Sequence, residues 1–259
     1  MAPVTSASAP AVAGQTGGVA DDGAQAAVAA RVPGAAALGL LPPPSASAVP
    51  AVLLADPGWT AEVLTGRAVR QRTDDRRVLA TVWWYSVSSV LLTPVLAGLA
   101  TGVRLSPRLA DTDLHLLAGA TPVAATAAGA PASADPGGEL AVDLRTTIGA
   151  VVTAVAAAGS MRERPLWAIA TDSLANRLLA IGRAVGDVAA VTAIAGPLAA
   201  AVGAPLPAPR YTDVAGARFT RRASCCLLYR VPHEVVCTSC PRRDPGERLV
   251  LLEDAAERM

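Results

Sequence analysis

The distribution of large apolar side chains divides the chain into three parts. Residues 1–50 are dominated by Ala, Pro, Gly and Ser. Such a segment buries too little apolar surface to offset chain entropy, so a disordered arm is predicted. From about residue 51 to residue 209, apolar positions recur at helical spacing, which predicts a helical domain. Prolines at 205, 207 and 209 then form a stiff spacer, after which residues 210–259 are predicted to be a compact C-terminal module.

Five stretches of the middle part are predicted to be helices. They are residues 60–66, 74–100 and 146–158, a segment that opens with Arg164-Pro165, and a segment from about Asp187. Proline is tolerated in the first turn of a helix but removes a backbone donor from its interior, so breaks are expected at Pro94 and Pro197. The helix after Arg164 carries an apolar stripe formed by Leu166, Ile169, Leu174, Leu178 and Ile181.

Two short segments have the alternating pattern of half-buried strands. Residues 113–117 and residues 139–144 are predicted to pair as a hairpin. Residues 120–138 between them are rich in Ala, Thr, Pro and Gly, which is typical of a loop. The predicted fold is therefore mainly α, of the α+β class: a helical domain with a small β-hairpin, followed by the compact cysteine-rich module.

One uncharged stretch, residues 78–103, is 26 residues long and so reaches the length of a transmembrane helix. It also contains several Ser and Thr residues and Pro94, so a buried helix is favoured over a membrane span, with peripheral membrane association at most. Residues 1–30 contain no Lys or Arg, and no apolar block suited to a signal peptide follows. The expected location is the cytoplasm.

Composition and charge narrow the function classes. All 22 basic residues are arginines, and the formal net charge of +1 argues against a strongly basic nucleic-acid-binding protein. Two histidines leave little room for a His-rich metal site or a Ser-His-Asp hydrolase. No glycine-rich dinucleotide fingerprint follows a predicted strand, and the phosphate-binding loop motif does not occur. Nucleotide binding therefore has no support in the sequence.

All four cysteines lie between positions 225 and 240, in the pattern C-C-x10-C-x2-C. In a reducing cytoplasm, clustered thiols are more often metal ligands than disulfides. Four thiolates can complete the coordination of one tetrahedral zinc or of one [2Fe-2S] cluster. The adjacent pair Cys225-Cys226 is not the usual spacing of a zinc ribbon, although a structural zinc site stays open as the alternative.

With Arg221-Arg222-x-Ser224 before the doublet and Leu227-x-Tyr229-Arg230 after it, the segment resembles the FhuF-like ferric siderophore reductases. This resemblance implies a cytoplasmic protein whose [2Fe-2S] cluster reduces Fe(III) held in siderophores, especially hydroxamates. The implied cluster ligands are Cys225, Cys226, Cys237 and Cys240, with no catalytic residue beyond them. The implied partners are a ferric siderophore and an external electron donor such as a ferredoxin or flavoprotein, without nucleic acid.

The resemblance is strongest over residues 216–243 and extends more loosely to Trp83-Trp84 and to Leu166-Trp167 followed by Asp172. Members of this family commonly carry Gly near the turn between the cysteine pairs, where this chain has Pro232-His233-Glu234. That departure alters the turn and leaves the ligand spacing intact. His233 is predicted to be a solvent-facing turn residue because the four cysteines already complete a ligand set.

The cysteine module is locally cationic. Between residues 210 and 248, eight Arg face four acidic residues, and positive surroundings favour the more negative, reduced state of an iron–sulfur cluster. The same arginines suit the docking of an acidic electron donor. Two other functions stay open: a structural four-cysteine zinc module, and an iron- or siderophore-binding protein that does not turn over.

Overall fold

The computed structural model describes residues 23–259, and helices form most of its regular structure. The helices are α1 (Ala24–Arg31), α2 (Pro57–Gln71), α3 (Arg76–Thr101), α4 (Pro136–Ala158), α5 (Arg164–Val185), α6 (Val188–Ala193), α7 (Ala195–Val202) and α8 (Pro245–Glu257). The strands are β1 (Ser47–Pro50), β2 (Thr112–Leu117), β3 (Thr121–Ala127), β4 (Tyr211–Val214) and β5 (Ala217–Thr220). The predicted mainly α fold with a small hairpin is confirmed.

Helix α3 is the centre of the core. Trp83 and Trp84 are fully buried, and the indole Nε1 of Trp84 donates to the Leu166 carbonyl at the start of α5, at 2.8 Å. Further along the same two helices, the hydroxyls of Ser88 and Ser173 hydrogen-bond at 2.7 Å. Since buried polar groups need partners, these two bonds fix how α5 lies against α3.

Both ends of α3 follow from local sequence. The Asp75 carboxylate accepts from the Val78 amide at 3.1 Å and so caps the first turn. Gly102 ends the helix with a φ of 75°, a left-handed conformation that glycine adopts at little cost. The predicted break at Pro94 is wrong, because α3 runs through this residue. An interior proline costs about 3 kcal/mol, and packing of α3 against α5 and β3 compensates for it.

The helix ends near Pro197 also differ from the prediction. Asp187 caps α6 by accepting from the Ala190 amide at 2.9 Å, as its position predicts. The break comes at Ile194, between α6 and α7, and Pro197 lies in the first turn of α7, where a missing N–H is tolerated.

The predicted strand pairing is wrong for one partner. Strand β2 pairs antiparallel with β3 and with β1, in the order β1-β2-β3. Residues 139–144 belong instead to α4, whose first turn is capped by Asp135 accepting from the Gly138 amide at 3.0 Å. The adjacent β3 pairs with β2 through a short connection, which closes at a lower entropic cost than the long loop expected over 120–138.

The expected disordered arm is wrong for residues 23–50, and residues 1–22 lie outside the described part. Val28 of α1 and Leu40 are fully buried, and β1 adds the third strand to the sheet. The Gln25 side chain is also buried, donates to the Leu40 and Ala125 carbonyls and accepts from the Ala127 amide. A few anchoring side chains thus order a segment whose composition is otherwise weakly apolar.

Two described helices, α3 and residues Gly137–Ala158 of α4, are long and apolar enough to cross a membrane. The most apolar 18-residue stretch is 78% buried inside the fold in α3 and 50% buried in α4. The core helix of a folded domain has the same length and composition, and α3 agrees with the predicted buried helix.

Candidate metal centre

The four cysteines lie between the hairpin β4–β5 and α8, in a segment with little regular structure beyond a short 3-10 turn at Leu228–Arg230. All four are free thiols. Cys226 and Cys240 are buried, with 5% and 2% of their surface exposed, whereas Cys225 and Cys237 are half-buried. The cluster of thiols therefore has a buried side and a side that faces solvent.

Cys225 and Cys240 form a close sulfur pair. Their Sγ atoms are 3.9 Å apart. Two thiolates on one tetrahedral metal, each about 2.3 Å from it, are about 3.8 Å apart. The pair therefore already has the spacing of two ligands to one metal atom.

Cys226 and Cys237 both contact one guanidinium. Nη1 of Arg222 lies 3.8 Å from Sγ of Cys226 and 3.3 Å from Sγ of Cys237. The Cys240 amide donates to the Cys237 carbonyl at 3.1 Å, which folds the C-x2-C half into a turn.

Within residues 23–259, no three metal-ligating side chains are gathered closely enough to hold a single metal ion. A structural zinc needs four thiolates around one ion, whereas a [2Fe-2S] cluster spreads four thiolates over two irons. The four thiols present are of the right chemistry and number for the second ligand set.

Asp172, on α5, holds the loop that precedes the cysteine doublet. Its side chain is only 2% exposed. It accepts from the Ala223 amide at 2.7 Å, from the Ser224 amide at 3.1 Å and from the Ser224 hydroxyl at 2.8 Å. It also pairs with Nε of Arg222 at 3.4 Å. One buried carboxylate thereby fixes three consecutive residues directly before Cys225.

Tyr85, on α3, completes the surroundings of Arg222. The guanidinium carbon of Arg222 lies 4.9 Å from the centre of the Tyr85 ring, a cation–π contact. Burial by itself lowers the pKa of Arg222, but its electrostatic interactions with Tyr85, Cys226, Asp172 and Cys237 raise it overall. The guanidinium is therefore a permanent positive charge at the sulfurs.

Burial raises the pKa of carboxyl and thiol groups, whereas it lowers that of a guanidinium. It raises the pKa of Asp172, although the hydrogen bonds from residues 223 and 224 and the charge of Arg222 counteract the rise. Burial also raises the pKa of Cys225 and of Cys237, and Arg222 opposes the rise at Cys237. Metal binding must therefore displace protons from these thiols.

The module is seated on the first half of α3. Val231 packs against Val78 and Val82, with Leu227 and Leu228 alongside. Arg230 forms an ion pair with Asp75 at 3.0 Å. The cysteine segment is thus attached to α3 by apolar contacts and to α5 through Asp172.

His233 lies in the turn between the two cysteine pairs and is exposed, as predicted. Its φ of 71° is in the left-handed region, which explains why a glycine is favoured near this turn. Its Nε2 lies 3.3 Å from Nη1 of Arg72. The imidazole therefore contacts α2 rather than the sulfurs.

Residues 222–242 match the family model described as the FhuF 2Fe-2S C-terminal domain. This segment is similar to a FhuF-type iron–sulfur domain. The match contains all four cysteines and indicates a [2Fe-2S] cluster as the cofactor. Neither the comparison with curated proteins nor the comparison with solved structures found a match.

The FhuF-type domain confirms the resemblance drawn from the cysteine spacing. Arg222 and Ser224, which the motif includes, acquire a role only in three dimensions, through Asp172. Tyr85 was missed by sequence reasoning because nothing in its neighbourhood on α3 marks it as different from the other core residues. The division of the chain at residue 209 stays a prediction.

Proposed function

We propose that this protein is an iron–sulfur reductase that passes one electron at a time to Fe(III) bound in a siderophore, in the cytoplasm. The observation that carries the proposal is the set of four free cysteines, two of them with sulfurs 3.9 Å apart, within a segment that matches the FhuF 2Fe-2S domain. Cys225, Cys226, Cys237 and Cys240 would hold the [2Fe-2S] cluster. When bound, that group supplies the one-electron redox chemistry.

The protein itself contributes position, charge and access. Asp172 holds the backbone before the doublet, and Arg222 donates to two sulfurs, which favours added negative charge at the site. The half-buried Cys225 and Cys237 form the side that partners can approach. No proton-transferring residue is needed, because the reaction moves only an electron.

The electron balance requires two partners. A donor protein, such as a ferredoxin or flavoprotein, supplies one electron, and the ferric siderophore accepts it to give Fe(II). Hard oxygen ligands hold Fe(II) much less tightly than Fe(III), so reduction releases the metal. The arginines of the cysteine segment suit an acidic donor, because complementary charge speeds association.

The test is stopped-flow mixing of dithionite-reduced, cluster-loaded protein with a panel of ferric siderophores. The proposal expects reoxidation of the protein to keep pace with the appearance of Fe(II), trapped by a ferrous chelator. Absence of reoxidation by every siderophore in the panel would contradict it and would leave a protein that binds iron or siderophore without turnover.

A further inference from the structure

A cationic cavity of about 250 Å³ lies beside the cysteine site, between the hairpin β4–β5 and α8. Ser239 and Pro241, which flank Cys240, form part of its wall. Among residues 23–259, no Asp or Glu lines the cavity. Its wall contains four arginines: Arg210, Arg221, Arg222 and Arg248. Only Arg222 is paired with a carboxylate, that of Asp172.

The charges of the other three arginines are not neutralised. In the described part of the chain, Arg210, Arg221 and Arg248 form no ion pair with a carboxylate. Arg210 and Arg221 are exposed, and the Arg221 amide donates to the Arg210 carbonyl at 2.9 Å, which holds the two residues side by side. Nη1 of Arg248 donates to the Cys240 carbonyl at 3.3 Å. A concave site with several positive charges attracts a negatively charged partner.

A second cavity of the cysteine segment, of about 240 Å³, provides a comparison. Arg243 forms an ion pair with Glu247 there, and the guanidinium carbon of Arg242 lies 5.5 Å from the centre of the Tyr229 ring. The lining residues are Tyr229, Val236, Arg242, Arg243, Asp244 and Glu247. Two acidic residues thus balance two arginines. Since the two cavities are similar in size, charge is what distinguishes the first one.

Helix α8 adds apolar surface next to the cationic cavity. Leu252 of α8 lines the cavity. Leu249 and Val250 of the same helix follow Arg248 directly and are 47% and 63% exposed. Protein interfaces combine apolar contacts with a polar rim. This part of the surface therefore has both components of a docking site for another protein.

The size of the cationic cavity indicates what kind of partner it takes. Sites that enclose a small molecule usually have volumes of about 300–1,000 Å³, so a whole metal chelate is too large for this one. A carboxylate side chain that projects from a protein surface is small enough to enter. Electron-transfer complexes bury less than about 1,200 Å² and are transient, so a few complementary charges suffice to guide them.

We propose that this cavity is the docking site of an acidic one-electron carrier protein, whose carboxylates contact Arg210, Arg221 and Arg248 and whose apolar surface contacts Leu249. The proposal rests on the proposed reductase function and names the surface through which the electron enters. The carrier loses one electron and the cysteine site gains it, while no bond forms or breaks. The ferric siderophore is reduced without occupying this cavity.

The binding test is calorimetric titration of the oxidised, cluster-loaded protein with an oxidised flavodoxin, a small acidic carrier that contains a flavin. No electron moves in this titration, so it reports docking alone. Binding is expected to weaken about tenfold between about 0.01 M and about 0.15 M salt, because the Debye length falls from about 30 Å to about 8 Å over this range.

The variants Arg210→Gln and Arg221→Gln remove exposed charges without removing a side-chain hydrogen bond to the cysteine segment. Each is expected to weaken flavodoxin binding about threefold at low salt and to reduce its salt dependence. Leu249→Gln is expected to weaken binding with an unchanged salt dependence. The matched control is Arg242→Gln, which removes an exposed charge without a carboxylate partner from the other cavity and is expected to change binding less than either variant. Iron content is compared first, so that only loaded variants are titrated.

The kinetic test separates the entry of the electron from its exit. Stopped-flow mixing of flavodoxin hydroquinone with the oxidised protein is followed by the appearance of the blue flavin semiquinone. Arg210→Gln and Arg221→Gln are expected to slow this step about threefold at low salt. The same variants, reduced with dithionite, are expected to be reoxidised by ferric siderophores at the rate of the unaltered protein.

Absence of flavodoxin binding, binding that does not depend on salt, or effects in Arg210→Gln and Arg221→Gln no larger than that in Arg242→Gln would overturn the proposal. So would an equal slowing of reoxidation by siderophores, which would make the cavity a siderophore site. A protein that binds flavodoxin as expected but reduces no siderophore keeps this docking site and loses the proposed reductase function.

Discussion

Arg222→Gln tests the account at the contact between the protein and its cysteine sulfurs. The guanidinium is the only described cation that touches cysteine sulfurs within hydrogen-bond reach, at 3.3 Å from Cys237 and 3.8 Å from Cys226. Glutamine keeps a donor but not the charge. Since a nearby positive charge favours the reduced, more negative cluster, its removal is expected to lower the reduction potential.

The size of this shift follows from Coulomb's law. At an effective dielectric constant of about 20, two unit charges about 4 Å apart interact by about 4 kcal/mol, and at twice that distance by about 2 kcal/mol. The added electron resides beyond the sulfurs, so the smaller figure applies. For a one-electron couple, 1.4 kcal/mol corresponds to about 59 mV, which gives a decrease of roughly 80 mV.

The assay is a potentiometric titration followed by visible absorption and by the electron paramagnetic resonance signal of the reduced state. Arg222→Lys keeps the charge and loses the forked donor, so it is expected to shift the potential by less than half as much. Arg230→Gln is the control, because Arg230 lies in the same segment but is exposed and pairs with Asp75. Iron content is measured first, so that only loaded variants are compared. A shift in Arg222→Gln no larger than that in Arg230→Gln would refute the reasoning.

Three further predictions concern stability, each measured by urea unfolding followed by circular dichroism. Asp172→Asn leaves the Arg222 charge buried without its partner, so the unfolding free energy is expected to fall by about 3 kcal/mol and cluster occupancy to fall with it. In Gly159→Ala the new Cβ would lie 2.4 Å from the Cβ of Ala80, so the unfolding free energy is expected to fall by about 1–3 kcal/mol. The control is Gly196→Ala on α7, where a Cβ meets nothing within 4 Å. This control is expected to leave the unfolding free energy unchanged or to raise it by up to about 1 kcal/mol. Burial raises the pKa of Tyr211 from 10.0 to about 12. The folded state therefore holds the phenol proton more tightly than the unfolded state does. The unfolding free energy is expected to decline from pH 10 to pH 12 as this proton is lost. Tyr211→Phe should remove that decline, and an unchanged slope in this variant would contradict the assignment.

The helices were predictable where a local signal was strong. The start of α5 at Arg164-Pro165 and the apolar stripe that follows are properties of a short stretch of sequence. Residues 139–144 have a pattern that suits a strand or a helix, and only the tertiary context of α4 decides between them. The continuity of α3 through Pro94 was not predictable for the same reason, because the packing that buries this helix cannot be inferred from the proline and its neighbours in sequence.

The prediction of disorder for residues 23–50 was wrong for a different reason. Composition is an average, and residues 23–50 have few large apolar groups, yet Val28 and Leu40 are completely buried. The Gln25 amide also anchors this segment, since it bonds to the backbone of residues about 100 positions away. A hydrogen bond between residues so far apart in the sequence produces no periodic pattern from which it could be predicted.

The grouping of the four cysteines was visible in the sequence because all four lie between positions 225 and 240, whereas their role as cluster ligands stays a prediction. The side chains that surround the cysteines were not predictable, since Asp172 and Arg222 are 50 residues apart in the sequence and Tyr85 is further away still.

The central claim is that the four cysteines hold a [2Fe-2S] cluster. Anaerobically purified protein is analysed for iron, acid-labile sulfide and zinc, together with its visible spectrum, beside Cys226→Ser. The account predicts a brown protein with about two irons and two sulfides per chain, and a Cys226→Ser variant without the normal four-thiolate spectrum. A colourless protein carrying one zinc per chain would contradict it.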